Sequence, residues 1–444
     1  MATSTAPPKR VQPAPSQFAA PPESDDSDDM FDLASDTDSP KKKRQKTETD
    51  KAGRKGQKLD QKLLDKWDDE ENYYKTIIGE VLNDKYKVVD HLGKGVSATV
   101  VKVEEVGKDE GEEKSEEKDE KKAGHKNGSS NGHENDGLAV KIIRSNDAMR
   151  KIGDREGKII ELLNKHQSTK SIIGLIDRFD HKGHLCLVFE GMHSNLRDIL
   201  KEFGRNQGIN IRAVRLYARQ IFTSLQILRE CQILHGDFKP DNVLVNAKRS
   251  STRLCDFGSA VEANKDQKTW TEPMPYLASR FYRAPELILG APFDYGVDMW
   301  SAGCTLYELY TGCILFAGAS NNHMIKCIMD VRGKFSHKQL KKGKLTDKYF
   351  DENLDFKSDE VDPHTGRLIT HTLRYTQNQA HLPVKKLLGK CRETGSDIIL
   401  QGHLIDLLDK LFTLNPEKRI TPEQALEHPF CHDREADTDQ LDPH

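Results

Sequence analysis

The sequence predicts an α+β fold of two unequal lobes, a small β-rich lobe followed by a larger helical one, behind a tail that cannot pack. Three observations carry this. From Tyr86 to Glu190 apolar residues fall in short runs of strand length, with one helical stretch between them. From Asn195 onward helical periods dominate, with short strands only around Val243 and Arg253, which places the cleft between lobes near residue 191. Residues 1–62 are rich in Pro, Ser, Asp and Lys and nearly bare of aliphatic side chains, so burial cannot offset the entropy of ordering them.

In chain order, the tail holds two charged blocks. Glu23 to Asp38 is acidic, with Ser27 and Ser35 inside it and Ser39 just beyond. Lys41-Lys42-Lys43-Arg44-Gln45-Lys46 is a compact basic run that fits a nuclear localisation signal. Residues 63–84 read as an extension ahead of the small lobe, where Trp67, Tyr73, Tyr74, Ile77 and Ile78 supply the first dense apolar surface. His91 to Val103 reads strand–turn–strand. Residues 107–137, a Lys/Glu tract ending in Gly, Ser and Asn, read as a disordered insert between two strands. The fold resumes at Leu138–Ile143, followed by a helix over Ala148–Leu163 and strands over Ile172–Phe179 and His184–Glu190. Residues 85–190 are thus the small lobe, 191–431 the large lobe, and 432–444 a second tail.

Charge and cysteine usage exclude several classes. The chain of 444 residues carries 68 basic and 71 acidic side chains, a net charge of −3, so no global field argues for nucleic acid or membrane. The basic runs lack the interleaved aromatics of a single-strand binder. The eight cysteines are scattered without a C-x-x-C pair and read as buried free thiols of a reducing compartment. No apolar run reaches membrane-spanning length, and the N-terminus has no apolar signal-peptide core.

The chemistry centres on Leu234–Asn242, LHGDFKPDN, a loop between an amphipathic stretch (Val214 to Leu228) and the apolar run Val243–Val245. It presents an acid, Asp237, a cation, Lys239, and an amide, Asn242, at spacings of +2 and +5. Phosphoryl transfer needs that set: a carboxylate to orient and deprotonate a hydroxyl, a cation beside the moving phosphoryl, and an oxygen ligand for Mg²⁺. The loop resembles the protein kinase catalytic loop, H-R-D-x-K-x-x-N, with Gly236 where the Arg is expected.

Other segments extend the resemblance in order. Gly93-Lys94-Gly95-Val96-Ser97-Ala98-Thr99-Val100 is similar to the glycine-rich phosphate loop, with Ala98 in place of the third glycine. Alone, a Gly-x-Gly is a hairpin turn; here a lysine follows on the next strand. Lys141, in Ala139-Val140-Lys141, resembles the strand lysine that contacts the α- and β-phosphates. Its partner is expected to be Glu156, on the helix face of Ile160 and Leu163, with Glu161 as the alternative. Gly153 and Gly157 predict an unusually soft helix there. Leu187–Met192 resembles the strand leading to the hinge, which makes Phe189 the gatekeeper, and Glu190 and Met192 the backbone partners of adenine. Leu92, Gly93, Lys94, Gly95, Val96, Val100, Ala139 and Leu244 complete the implied nucleotide site. Asp256-Phe257-Gly258 resembles the metal-chelating D-F-G, giving Asp256 and Asn242 as Mg²⁺ ligands. Ala284-Pro285-Glu286 resembles A-P-E, which implies that Glu286 pairs with Arg419 and that Asp298 braces the catalytic loop.

The chain thus resembles a eukaryotic protein kinase over about residues 85–431, and implies the two-lobe kinase fold and use of ATP and Mg²⁺. Pro275–Glu286, with Arg283, is similar to the group of cyclin-dependent, mitogen-activated, glycogen-synthase and dual-specificity tyrosine-regulated kinases. A phosphate on Tyr276 could pair with Arg280 and Arg283, while Gly236 removes the usual third clamp. The stretch from Val331 to about Lys390 fits this group's insert.

Within the group the resemblance points to the pre-mRNA processing factor 4 kinase family. It is carried by Trp67-Asp68-Asp69, Tyr73-Tyr74, Ile78-Gly79-Glu80, the loop without Arg, Pro275–Tyr282, Asp298–Thr311 and Asn321–Met324. It implies a nuclear serine/threonine kinase, monomeric, acting on splicing factors and able to phosphorylate its own Tyr276. No Arg-Ser repeat tail is present, and residues 107–137 are extra. Two alternatives stand beside it: a dual-specificity tyrosine-regulated kinase with other substrates, and a pseudokinase scaffold, which the intact Lys141, Asp237, Asn242 and Asp256 oppose.

Overall fold

A computed structural model describes residues 68–432, apart from 70, 107–136, 167–168, 206, 264–268, 363, 366, 376–383, 385–387 and 389–392. The acidic block, the basic run, Trp67, the 107–136 insert and the tail after His432 lie outside the described residues.

The small lobe is an antiparallel sheet of six strands in the order β1-β2-β3-β4-β6-β5. These are β1 (Val81–Leu82), β2 (Tyr86–Lys94), β3 (Ala98–Glu105), β4 (Leu138–Ile143), β5 (Leu175–His181) and β6 (His184–Glu190). Period-2 alternation divides its faces. Val140 and Ile142 of β4 join Tyr74, Tyr86, Val88, Val101, Cys186 and Val188 in an outer cluster. Ile143 packs instead with Ile159, Ile160 and Leu163 of α1 (Asp147–Asn164), on the face that carries Lys141. α1 starts where the Asn146 side chain accepts the Met149 amide.

Gly153 of α1 lies against the sheet: a Cβ there would stand 2.9 Å from Ile143 Cγ1 and 3.1 Å from Leu185 Cδ2. The residue that reads as a soft spot is therefore a close-packing position. A second difference concerns β5, which begins at Leu175 rather than Ile172. Ile172 instead bridges Leu254 of the large lobe, and the Ile173 amide donates to the Leu254 carbonyl.

The large lobe is built on α3 (Ile211–Glu230) and α5 (Gly296–Thr311). α3 is amphipathic, while α5 is buried from Val297 to Tyr310 and mostly apolar, with Asp298 and Glu308 as buried acids that find partners outside the helix. α2 (Leu196–Gly204), the short α4 (Pro285–Ile288) and α9 (Asp397–Leu411) contribute to the same core. Short strands frame the site loops: β9 (Val243–Val245) pairs with β7 (Ser194–Asn195) and β10 (Thr252–Leu254), and β8 (Ile233–Leu234) with β11 (Val261–Glu262). The stretch after α6 (Asn321–Arg332) contains α7 (His337–Leu340), α8 (Thr346–Tyr349) and the hairpin β12 (Phe356–Val361) and β13 (Leu368–Leu373).

Of the apolar extension residues, Tyr73 and Tyr74 are buried, but Ile77 and Ile78 are 52% and 61% exposed. The cysteines also differ from expectation: Cys186, Cys304 and Cys431 are buried, whereas Cys313 is exposed. Among the described residues no helix is long and apolar enough to cross a membrane.

Candidate active site

β8 delivers the chain to the loop at His235. The buried Asp298, at the start of α5, accepts the amides of His235 (2.8 Å) and Gly236 (3.0 Å), tying the loop backbone to the large-lobe core. Gly236 has a φ of +77°, and a Cβ there would stand 2.8 Å from Leu277 Cδ1 and 2.9 Å from the Ser259 carbonyl. An arginine at this position would be strained and would collide with the activation segment (the stretch from Asp256 to Glu286) at Leu277 and with the turn after Asp256 at Ser259. His235 donates from Nε2 to the Cys255 carbonyl (3.0 Å), accepts the Asp237 amide at Nδ1 and packs edge-on against Phe257, 5.1 Å between centroids.

The β9–β10 hairpin sets Asn242 beside Cys255-Asp256, since Val243 is paired with Leu254 and the Cys255 amide donates to the Asn242 carbonyl. Asp256 adopts φ +62° and brings its carboxylate to Lys141, with Nζ 2.8 Å from Oδ1. Lys141 also donates to both Glu156 oxygens, at 2.8 and 2.9 Å. Glu156 is 1% exposed, while Glu161 lies on the outer face of α1. Burial opposes the charge on Lys141, but the carboxylates of Asp256 and Glu156 outweigh it and raise the ammonium pKa. The same cation, against burial, holds Asp256 down at about 2, so its carboxylate is ionised across the physiological range.

Asp237 is held from three sides. Ser279 donates to its Oδ1 through both the amide (2.9 Å) and the hydroxyl (2.7 Å), and Lys239 Nζ lies 3.0 Å from Oδ2. Lys239 donates in turn to Ser279 Oγ at 2.9 Å. Asn242 spends its Nδ2 on the Asp237 carbonyl, 2.8 Å, which leaves its Oδ1 as an oxygen donor. Acid, cation, amide and the Asp256 carboxylate are thus joined in one constellation, with Ser279 as a member that sequence reading noticed only as part of a resemblance.

The protein kinase domain model matches residues 86–431. The serine/threonine-protein kinase prp4 of Schizosaccharomyces pombe is 42% identical over 412 residues, covering 91% of this chain and 78% of that protein. The serine/threonine-protein kinase prpf4B of Dictyostelium discoideum is 37% identical across 83% of this chain and 42% of its own length. The dual specificity protein kinase YAK1 of Saccharomyces cerevisiae is 31% identical across 81% and 43% respectively. The chain belongs to the protein kinase family, among the Prp4-type serine/threonine kinases.

In this kinase the other residues expected at the nucleotide site lie on the small-lobe strands, the hinge and β9. Val100 lies opposite Lys141 on β3 and β4, and Ala139 opposite Phe189 on β4 and β6. Phe189 is buried; Ala139, Val100, Met192 and Leu244 are half-buried. Glu190 is fixed by its own side chain, whose Oε1 accepts the Gly174 amide (2.9 Å) and Arg253 Nε (3.1 Å). Leu92, Gly93, Lys94 and Gly95 are exposed at the β2–β3 turn, where the Gly95 amide donates to Ala98 O at 2.9 Å. Val96 is half-buried beside them.

The activation segment ends at the buried Glu286–Arg419 pair, with Arg419 Nη2 3.0 Å from Oε2. Tyr276 is 49% exposed. Arg283 is buried and donates to the Ala278 carbonyl (2.8 Å), the Leu277 carbonyl (3.1 Å) and Asn321 Oδ1 (2.7 Å). Arg280 donates to the Ala319 carbonyl. Sequence reading also missed Arg197, which joins Asp241, Glu308 and the Tyr282 hydroxyl beneath the catalytic loop. No short motif marks it, because its partners lie 44, 111 and 85 residues away.

Proposed function

We propose that this kinase transfers the γ-phosphoryl group of Mg-ATP to serine and threonine hydroxyls of nuclear splicing proteins. The observation that carries the chemistry is the shared constellation of Asp237, Lys239, Asn242 and Asp256. Asp237, oriented by Ser279 and Lys239, accepts the proton of the substrate hydroxyl. Lys141, fixed by Glu156, places its charge against the phosphates, and Lys239 places a second charge near the transferring group. Asp256, ionised, and the free Oδ1 of Asn242 are hard oxygen donors of the kind Mg²⁺ selects. Held by these two side chains, Mg²⁺ would supply positive charge to offset the charge on the phosphates during transfer. The backbone of Gly93–Val96 closes over the phosphates, and Leu92, Val100, Ala139, Leu244 and the Phe189–Met192 segment enclose the base.

The choice of nuclear splicing substrates is supported by the resemblance to pre-mRNA processing factor 4 kinases and by the basic run at Lys41–Lys46. Tyr276 is proposed as an autophosphorylation site, answered by Arg280 and Arg283. In the present arrangement Arg283 is engaged by backbone carbonyls, so such a phosphate would have to draw it away from them.

The test is radiolabelled phosphate transfer from Mg-ATP to an Arg-Ser-rich splicing protein, with phosphopeptide mapping of the enzyme itself. Wild type should label the substrate and carry phosphate on Tyr276, and Asp237→Ala should lose about 10²- to 10⁴-fold in kcat. Equal transfer by both proteins would remove Asp237 from the mechanism. Preference for a generic basic protein over the splicing substrate would overturn the substrate class.

A further inference from the structure

The segment Asp68–Thr76, ahead of the kinase domain, runs against the turn that bears the glycine-rich loop. Tyr73 is buried, and its hydroxyl lies 2.9 Å from both the Gly95 and the Val96 carbonyls. Its ring is flanked by two cations, Lys94 Nζ at 3.8 Å and Arg144 Cζ at 4.4 Å from the centroid. Arg144 itself donates to Val96 O at 3.1 Å and to the Glu71 carbonyl, so it ties loop and strap together. Lys94 is paired with Asp69 at 3.1 Å. The strap is anchored behind by Asp68, which accepts from Ser145 Oγ (2.8 Å) and faces the buried His184 (2.6 Å).

We infer that the Asp68–Thr76 strap is a working part of the nucleotide site, with Tyr73 as a positioning residue for the glycine-rich loop. The reason is peptide geometry. In a trans peptide the C=O of one residue and the N–H of the next point in opposite directions. Tyr73 engages the carbonyls of Gly95 and Val96, so it turns the amides of Val96 and Ser97 away from the strap. Those two amides are then set, before nucleotide arrives, as donors to phosphate oxygens. Without the hydroxyl, a loop containing two glycines samples both faces, and nucleotide binding must supply the ordering. Tyr73 shares this task with three further hydrogen bonds on the loop backbone: Gly95 N to Ala98 O, Arg144 N to Ser97 O and Arg144 Nη1 to Val96 O. Tyr73 acts through the loop and does not touch substrate.

This inference rests on reading Gly93–Val100 as the phosphate loop, and its test separates the two. Tyr73→Phe keeps the ring and both cation contacts and removes only the hydroxyl. The enzyme should show KM for ATP raised about fivefold, the worth of the one hydrogen bond that the hydroxyl proton shares between the two carbonyls. KM for the protein substrate, kcat and the melting temperature should hold. Backbone amides of residues 93–98 should exchange with deuterium faster in Tyr73→Phe while the rest of the small lobe is unchanged. An unchanged KM for ATP overturns the inference, as does a parallel fall in kcat and melting temperature with KM constant, which would mark ordinary packing. A wild type that neither binds Mg-ATP nor transfers phosphate overturns the loop reading and the strap together, whereas an active wild type with a silent Tyr73→Phe overturns only the strap.

Discussion

Ser279 shows how one hydroxyl organises the base. Its Oγ donates to Asp237 and accepts from Lys239, so acid and cation share one pivot. Asp237 also keeps the Ser279 amide and the Asn242 side chain nearby, which bounds the effect of losing the hydroxyl. Ser279→Ala should lower kcat roughly tenfold, well short of the 10²–10⁴ expected for loss of the base itself. Ser279→Thr, which restores an oxygen, should recover most of the rate; steady-state phosphate transfer measures both. Asp237, Lys239 and Asn242 were legible because they fall within six residues of one loop and their types suit one reaction. The pivot was not, since a serine 42 residues away becomes a ligand of Asp237 only when the activation segment folds back onto the loop.

At the scale of an element, α1 sets two preferences against each other. Intrinsic propensity says that alanine should stabilise a helix interior by about 1 kcal/mol over glycine. At Gly153 the added Cβ would stand 2.9 Å from Ile143 and 3.1 Å from Leu185, and overpacking of that kind costs about 1–3 kcal/mol. At Gly157 the nearest atoms, on Arg178 and Leu187, stand at 3.4 Å, an ordinary contact. Gly153→Ala should therefore be destabilised on balance and lose activity, because lifting the helix draws Glu156 from Lys141. Gly157→Ala should be neutral or stabilised, and urea denaturation of the pair checks both. The helix and its inward face were readable from the spacing of Glu156, Ile160 and Leu163. The meaning of its glycines was not, because closeness to a sheet is a property of the neighbour and leaves no local signature.

Across the whole molecule, contacts far apart in sequence decide how the site holds its shape. Arg419 has a fully buried side chain and joins Glu286, 133 residues earlier, to the Gly296 and Thr413 carbonyls while lying over Trp300. Removing the carboxylate leaves a buried cation without its counter-charge, which costs about 3–5 kcal/mol. Glu286→Ala should lose stability of that order in denaturant unfolding, and the activation segment should become sensitive to proteolysis. The reciprocal change, Glu286→Ala with Arg419→Met, should recover part of the loss.

By itself the sequence determined the class of chemistry, the order of the lobes and most strands and helices, because these depend on residue type, short spacing and apolar period. It also determined that Asp298 and Arg419 had partners to find, through their resemblance to kinase motifs. Tertiary structure alone decided that Gly236 is sterically required, that Ile77 and Ile78 stay in water while Tyr73 and Tyr74 are buried, and that Ser279, Arg197 and the Asp68–Thr76 strap belong to the site. The physical reason is common to all of them. A hydrogen bond or steric contact reaches only about 3–4 Å, so its partners are set by which surfaces the fold brings together and not by distance along the chain.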